Sequence, residues 1–255
     1  MSCCKMQKNN LIISIITICR NAVGQIERTL FSVAEQTYPH IDYIVIDGAS
    51  TDGTYDRINA YRSHITTLIR EPDKGIYDAM NKGIRAATGD YCIFLNGGDF
   101  FCHSTAIENA VRRIAEVTAN VDVFYGNQLL LNELSGSSRI WRPKKRSRLD
   151  FYSGSLPHAS TFIRKGAFDE IGCYDPSFQI AADYEWFLRA LMHQMQFSHI
   201  DTLVSVFVEG HGISTRSTIK ELQASEKMRA RDMHFKGYRR GIYQVGLFLR
   251  KNKLL

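Results

Sequence analysis

Five short apolar runs recur along the first half of the chain: LIISIITIC (11–19), YIVID (43–47), TTLIR (66–70), YCIFL (91–95) and VDVFYG (121–126). The first is almost continuously apolar, as a strand covered on both faces must be. Segments of helical spacing separate the runs. Val23, Ile26, Leu30 and Val33 follow Asn21, which reads as a helix cap. Ile58 and Tyr61 form a short inward face. Ile76, Met80, Ile84 and Ala87 line another, and Ile107, Val111 and Ile114 follow a cap at Ser104. Strands alternating with helices of about ten residues imply βαβ units, hence an α/β fold with a mainly parallel central sheet.

Beyond residue 126 the pattern loosens. RIWRPKKRSR (139–148) reads as a basic, solvated loop, PHASTFIRK (157–165) as a strand, DYEWFLRALMH (183–193) as a helix and LVSVFV (203–208) as a late strand. Residues 218–250 are helical in pattern, with Ile242, Val245 and Leu249 on one side. The expected organisation is a domain over 1–215, its halves meeting near 126 (11–126 and 127–215), and a basic amphipathic tail over 216–255.

Charge separates these parts. The chain of 255 residues carries +6, but residues 216–255 hold eleven Lys/Arg against three acids, leaving the body at −2. A cationic tail favours an anionic partner such as a membrane surface or nucleic acid. Lys5 and Lys8 precede the first apolar run, but that run is short and Arg20 follows it at once. It reads as a first buried strand rather than a signal peptide. No run approaches the roughly eighteen apolar residues of a membrane-spanning helix. The six cysteines show no C-x-x-C pair and no zinc spacing, so they read as reduced thiols of a cytosolic protein.

Four constellations carry possible chemistry. In open α/β sheets, ligands bind beyond the carboxyl ends of the strands, and Asp47, Arg70 and Asp99 fall at such ends. DGASTDGT (47–54) is either a helix cap made by Ser50, Thr51 or Asp52, or a place where Asp47 accepts hydrogen bonds from a base or ribose. EPDKGIYDAMNKG (71–83) shapes a helix entry whose N-terminus, with Arg70 and Lys74 nearby, favours an anion, or is a surface turn. In YCIFLNGGDFF (91–101), Asn96 and Asp99 are hard oxygen ligands suited to Mg²⁺ or Mn²⁺, and Gly97 and Gly98 let a diphosphate approach the backbone. A plain turn is the other reading. In ADYEWFLR (182–189), Asp183 is either an N-cap or a general base.

Taken in order, VIDGASTDGT, EPDKGIYDAMNKGIRAATGDYCIFLNGGD and ADYEWFLR resemble the family 2 glycosyltransferases, over roughly residues 11–215. The likeness is nearest to enzymes of bacterial surface-polysaccharide assembly, such as colanic-acid and O-antigen transferases. The resemblance implies a GT-A, Rossmann-like fold. It implies a nucleotide-sugar site at Thr17, Asp47, Arg70, Asp73, Lys74, Asn81, Gly97 and Gly98. It further implies a Mn²⁺ or Mg²⁺ ion held by Asp99 and, late in the chain, His211 (where a structural histidine is an equal reading), with Asp183 as catalytic base. Family members often carry paired acids where this chain has Asp47-Gly48, Asn96-Gly97-Gly98-Asp99 and Ala182-Asp183; each motif here keeps one carboxylate.

The expected activity is inverting transfer of a sugar from a nucleotide-diphosphate donor to a hydroxyl of a lipid-linked glycan, at the inner face of the membrane. The tail would rest on anionic lipid, and His158 and Trp141 are candidates for the acceptor pocket. Three other classes remain open at this point. A glycosidase would use two carboxylates flanking the scissile bond, and its sites would not call for a nucleotide pocket. A sugar-nucleotide nucleotidyltransferase would want a glycine-rich phosphate loop that SIITICRNAVG does not offer. A non-catalytic nucleic-acid-binding protein would fit 139–148 and the tail, but not the acidic body; nucleic acid is not an expected partner.

Overall fold

A computed structural model of the chain describes residues 10–143, 148–209, 217–235 and 241. Its centre is a nine-stranded sheet. The strands are β1 (Ile13–Cys19), β2 (Ile41–Asp47), β3 (Thr67–Arg70), β4 (Tyr91–Phe94), β5 (Phe100–Phe101), β6 (Val123–Asn132), β7 (Ser137–Trp141), β8 (Thr161–Arg164) and β9 (Phe197–Glu209). They lie in the order β3-β2-β1-β4-β8-β6-β9-β5, with β7 paired to β6. Pairing is parallel through β3-β2-β1-β4 and again between β6 and β9. β8 runs against both β4 and β6, so the two parallel blocks point the same way.

All seven residues of β1 are buried. Ile16, Ile18, Ile44 and Ile46 face α3 (Ile76–Ala86) and α7 (Ala182–Met192). Their alternates Ile13, Ile15 and Val45 face α1 (Ile26–Ala34) and α4 (Ala106–Glu116). Helices α2 (Thr54–Ala60), α5 (Arg148–Ser153) and α6 (Lys165–Ile171) fill the connections. Helix α8 (Ser217–His234) packs on α7, with Ala230 and Phe235 fully buried at that contact. Among the described residues no helix is long and apolar enough to cross a membrane.

Four expectations need correction. Asn21 does not cap α1. Its backbone sits at φ +50°, its side-chain oxygen accepts the Thr51 N–H at 3.0 Å, and its own N–H donates to Ser50 Oγ. The neighbouring β2–α2 loop has recruited it, so α1 starts at Ile26 and Val23 is left exposed. Ser104 does not cap α4 either: Thr105 precedes that helix, and the Ser104 carbonyl takes the Thr37 N–H. The basic stretch is not all loop. β7 pairs with β6 from Gln128↔Trp141 to Asn132↔Ser137, around a turn with Gly136 at φ +65°, while residues 144–147 lie outside the described residues. The late strand begins at Phe197 because β6 offers it a parallel partner along its length. Ile242, Val245 and Leu249 lie outside the described residues. Cys19, Cys92, Cys102 and Cys173 are free thiols, the first two in strands as expected.

The amino edge of the sheet is locked by buried polar groups. The Asp42 carboxylate accepts Ser14 Oγ (2.8 Å) and both the N–H and the hydroxyl of Thr88 (2.9 Å each), while Ser14 Oγ accepts the Gly89 N–H (2.9 Å). The α3–β4 turn therefore presses on β1. A Cβ at residue 89 would stand 2.6 Å from the Ile12 carbonyl oxygen and 2.8 Å from the Ser14 nitrogen. Backbone cannot yield as a side chain can. Gly89→Ala is expected to lower unfolding stability by about 1–3 kcal/mol, read as a shift of the urea midpoint.

Candidate functional site

The loops at the carboxyl edge of the sheet enclose a cleft of about 830 Å³. Its walls come from the β1–α1 loop (Arg20, Asn21), the start of α3, the 96–99 turn after β4, Trp141 of β7, Asp183 of α7 and Lys227 of α8. Asp73, Gly97, Gly98, Asp99 and Asp183 line it together, as do His158 and Trp141.

The acids at this edge differ in what they already hold. Asp47 is wholly buried and does not line the cleft. It accepts the Ser50 N–H (3.2 Å), the Ser50 hydroxyl (2.5 Å) and Arg70 Nε (3.2 Å). Arg70 in turn donates to the Ser50 carbonyl at 3.1 Å and lies 4.2 Å over the Tyr55 ring. This pair stands behind the cleft wall. Asp73 reaches the cleft but accepts Lys82 Nζ at 2.9 Å. Burial pulls the Lys82 pKa down, and its bonds to Asp73 and Glu71 with the fields of Asp73 and Asp78 more than reverse this, so the ammonium stays charged.

Three other sequence-nominated residues are placed elsewhere. Thr17 is fully buried and shares a 3.2 Å hydrogen bond with the Tyr43 hydroxyl. The Asn81 amide both donates to the Tyr174 carbonyl (2.8 Å) and accepts the Tyr174 N–H (3.0 Å), which ties α3 to the 172–181 loop. Lys74 is exposed and outside the cleft lining, and its N–H is taken by Asp78. His211 lies outside the described residues. Gly98 needs its glycine: φ is +113°, and a Cβ would come within 2.8 Å of Gln25 Oε1.

Asp183 is not the cap: Ala181 holds that position, and Asp183 is the second residue of α7. Its carboxylate accepts Tyr77 Oη (3.2 Å) and Ser155 Oγ (3.5 Å), two neutral donors that orient it without removing its charge. His158 stacks on Phe94 (ring centroids 4.9 Å apart) and its Nε2 lies 3.0 Å from the Tyr174 hydroxyl. Burial lowers its pKa against the field of Asp183, which favours the neutral imidazole. Burial also pushes the Cys19 thiol up to about 12, helped by Asp47, Asp73 and Asp52, so this cleft thiol is protonated and inert.

Residues 14–172 match the family model described as glycosyl transferase family 2. The chain belongs to that family. The glycosyltransferase is 35% identical over 183 residues to an uncharacterized glycosyltransferase of Mycobacterium tuberculosis, covering 71% of this chain and 69% of that one. It is 27% identical over 212 residues to a PGL/p-HBAD biosynthesis glycosyltransferase of Mycobacterium bovis, covering 82% and 81%. In three dimensions it resembles S. aureus TarS 1-349 in complex with UDP-GlcNAc, with TM-score 0.68, 18% identity and coverage of 88% of this chain and 73% of that one. A mannosyltransferase from Pyrobaculum calidifontis in complex with GDP-Man and Mn²⁺ gives TM-score 0.65, 16% identity and coverage of 87% and 63%. Of a longer TarS chain it spans 37%. These likenesses establish the GT-A fold, and family membership sets aside the nucleotidyltransferase and non-catalytic readings.

The glycosyltransferase offers oxygen donors for a divalent cation at one turn. The Asn96 side-chain oxygen is buried and has no hydrogen-bond partner among the described residues. Asp99 follows three residues on, its N–H bonded to the Asn96 carbonyl at 2.9 Å, and no donor among the described residues reaches its carboxylate. Desolvation raises the Asp99 carboxyl to about 7, against the opposing charge of Arg28. A desolvated carboxylate beside an orphaned amide oxygen fits a hard cation that completes its shell with phosphate and water. Among the described residues no group of three His, Cys, Asp or Glu could hold a metal by itself.

Sequence reasoning expected a helix from residue 218 but missed its docking on the body. Glu226 is buried and accepts the N–H groups of Gln179 (2.7 Å), Ile180 (2.9 Å) and Ala181 (3.0 Å), the three amides that lead into α7. It caps from a distance the helix that carries Asp183. A capping acid some 45 residues downstream leaves no local signature.

The Asp99 carboxyl titrates near 7 when folded and near 3.8 when free. Between those values the folded chain holds the extra proton, so Asp99 removes stability as pH rises through the window, and the loss is complete above about 7. Asp99→Asn is expected to raise Tm at about pH 8 and to leave it nearly unchanged near pH 4. Millimolar Mn²⁺ should raise the Tm of the wild type at the higher pH and not that of the variant.

Proposed function

We propose that this glycosyltransferase moves a sugar from a nucleoside diphosphate sugar to a hydroxyl of a lipid-linked glycan, with inversion, in building a cell-surface polysaccharide. The observation that carries this reading is the placement of Asp183 and the Asn96–Asp99 turn in one cleft. The relatives named for PGL/p-HBAD biosynthesis, and a segment 39% identical over 93 residues to a putative teichuronic acid biosynthesis glycosyltransferase of Bacillus subtilis, support the surface-glycan setting. The folds solved with UDP-GlcNAc and with GDP-Man and Mn²⁺ support the donor class.

In this reading Asp183, aimed by Tyr77 and Ser155, takes the proton of the acceptor hydroxyl as that oxygen bonds the anomeric carbon. The bond from that carbon to the diphosphate oxygen breaks, and the electron pair leaves with the nucleoside diphosphate. Gly97, Gly98 and Asp73 flank the diphosphate, and the Asp47–Arg70 pair stiffens the wall behind the nucleotide. Asp99 and Asn96, with His211 as a further ligand, would hold Mn²⁺ or Mg²⁺, which when bound would supply Lewis-acid neutralisation of the leaving group.

Incubation with UDP-, GDP- and dTDP-sugars and Mn²⁺ should release nucleoside diphosphate slowly from one donor class; release from none overturns the reading. Asp183→Asn should lower turnover by about 10²- to 10⁴-fold and spare nucleoside diphosphate affinity in calorimetry. Wild-type turnover in that variant would remove Asp183 from the mechanism.

The reading also places the chain at the cytoplasmic face of a membrane, with 216–255 on anionic lipid. Helix α8 docks one side on the body and leaves Met228 and Met233 exposed (54% and 41%), with Lys220 and Arg229 exposed on the same helix. Each basic residue near such a surface adds roughly 1 kcal/mol. Deleting 236–255, which leaves α8 intact, should weaken co-sedimentation with phosphatidylserine vesicles; undiminished binding would show that 236–255 is not the anchor.

A further inference from the structure

Gln223 and Lys227 stand one turn apart on α8, and both line the cleft. The intervening Glu226 turns the other way, into the amides before α7, so the helix presents a buried structural face and a cleft face. No carboxylate, carbonyl or hydroxyl among the described residues bonds the Lys227 ammonium; its one close contact is the Tyr184 ring, 5.8 Å from Nζ. The Gln223 amide is likewise without a partner among the described residues. Other cations of the neighbourhood are engaged: Arg231 donates to the Tyr184 hydroxyl at 3.0 Å, and Arg229 to Ser177 Oγ at 2.7 Å. Lys227 is half-buried, and burial holds its pKa below the ordinary lysine range while Asp183 pulls the other way.

A half-buried ammonium that faces a ligand cleft without a counter-ion is costly until an anion arrives. We propose that Lys227 and Gln223 form a subsite for an anionic group, phosphate or carboxylate, carried by the acceptor. The acceptor side is indicated because the Tyr184 ring near Lys227 Nζ belongs to the residue that follows Asp183 in α7, the base assigned above to the acceptor hydroxyl. The turn offered to the donor diphosphate, residues 96–99, hangs from β4 beside α1 instead: Thr29 Oγ1 donates to the Asp99 carbonyl at 2.7 Å and accepts the Gly98 N–H at 2.9 Å. This inference rests on the transferase reading above and assigns to α8 the choice between charged and neutral acceptors.

The test compares wild type, Lys227→Met and Lys227→Arg. Methionine keeps an unbranched stem over Tyr184 and removes the charge. Two synthetic acceptors carry the same sugar, one on an alkyl diphosphate and one as a neutral alkyl glycoside, and each is assayed with the donor that the wild type turns over. Lys227→Met should raise KM for the diphosphate acceptor about tenfold, the loss expected of one charge-assisted hydrogen bond. KM for the neutral acceptor and the calorimetric Kd of the nucleoside diphosphate should stay within about twofold, and Lys227→Arg should restore most of the affinity. Unchanged KM for the diphosphate acceptor, or equal rises for both acceptors, overturns the proposal. A tenfold weaker nucleoside diphosphate also overturns it, by placing Lys227 on the donor. A wild type that turns over no donor fails the transferase reading itself, and is told apart by the absence of any activity to compare.

Discussion

A parallel strand covered on both faces has nowhere to put a charge except its end. β1 is buried along its whole length, and β2 over all but its first residue. Desolvating a carboxylate inside such a layer costs several kcal/mol unless hydrogen bonds replace the lost water. The chain follows that rule at both edges. At the amino edge Asp42 is held by Ser14 and Thr88. At the carboxyl edge the acids lie where loops can supply donors or leave a cleft open.

The division of labour among those edge acids follows from their partners. Asp47 and Asp73 are already neutralised by Arg70 and Lys82. Asp183 is met by two neutral donors, Tyr77 and Ser155. The Asp99 carboxylate has no donor among the described residues and lies in a desolvated wall, which leaves it the acid most in need of a cation. A Cβ on Gly48 would collide with the Asp73 carboxylate, so an acid from the β3–α3 connection occupies the space that a side chain at 48 would fill.

The sequence made the α/β layering legible because burial on both faces writes itself as unbroken apolar runs. It also pointed to Asp99 and Asp183, which the fold brings to one cleft, since glycine turns and helix starts are local signals. It could not show which polar residues are consumed within the fold. Thr17 and Asn81 look available in one dimension, yet each is closed off by a tyrosine distant in sequence, Tyr43 or Tyr174. The β6–β7 hairpin was hidden because both faces of β7 are largely exposed, so no hydrophobic alternation marks it. Helix α8 was read as a tail because its charge dominates its composition, while the single buried acid that docks it pairs only with backbone.

Glu226 uses both carboxylate oxygens as acceptors, one for Gln179 and one for Ile180 and Ala181. A glutamine of equal size would turn an amide hydrogen toward one of those donors, so the position accepts neither neutral nor basic substitutes. Selection experiments that seek altered glycan preference should therefore hold 226, 230 and 235 constant and randomise 223 and 227. The docking ridge and the variable ridge run along one cylinder, which lets recognition diversify while the scaffold stays put.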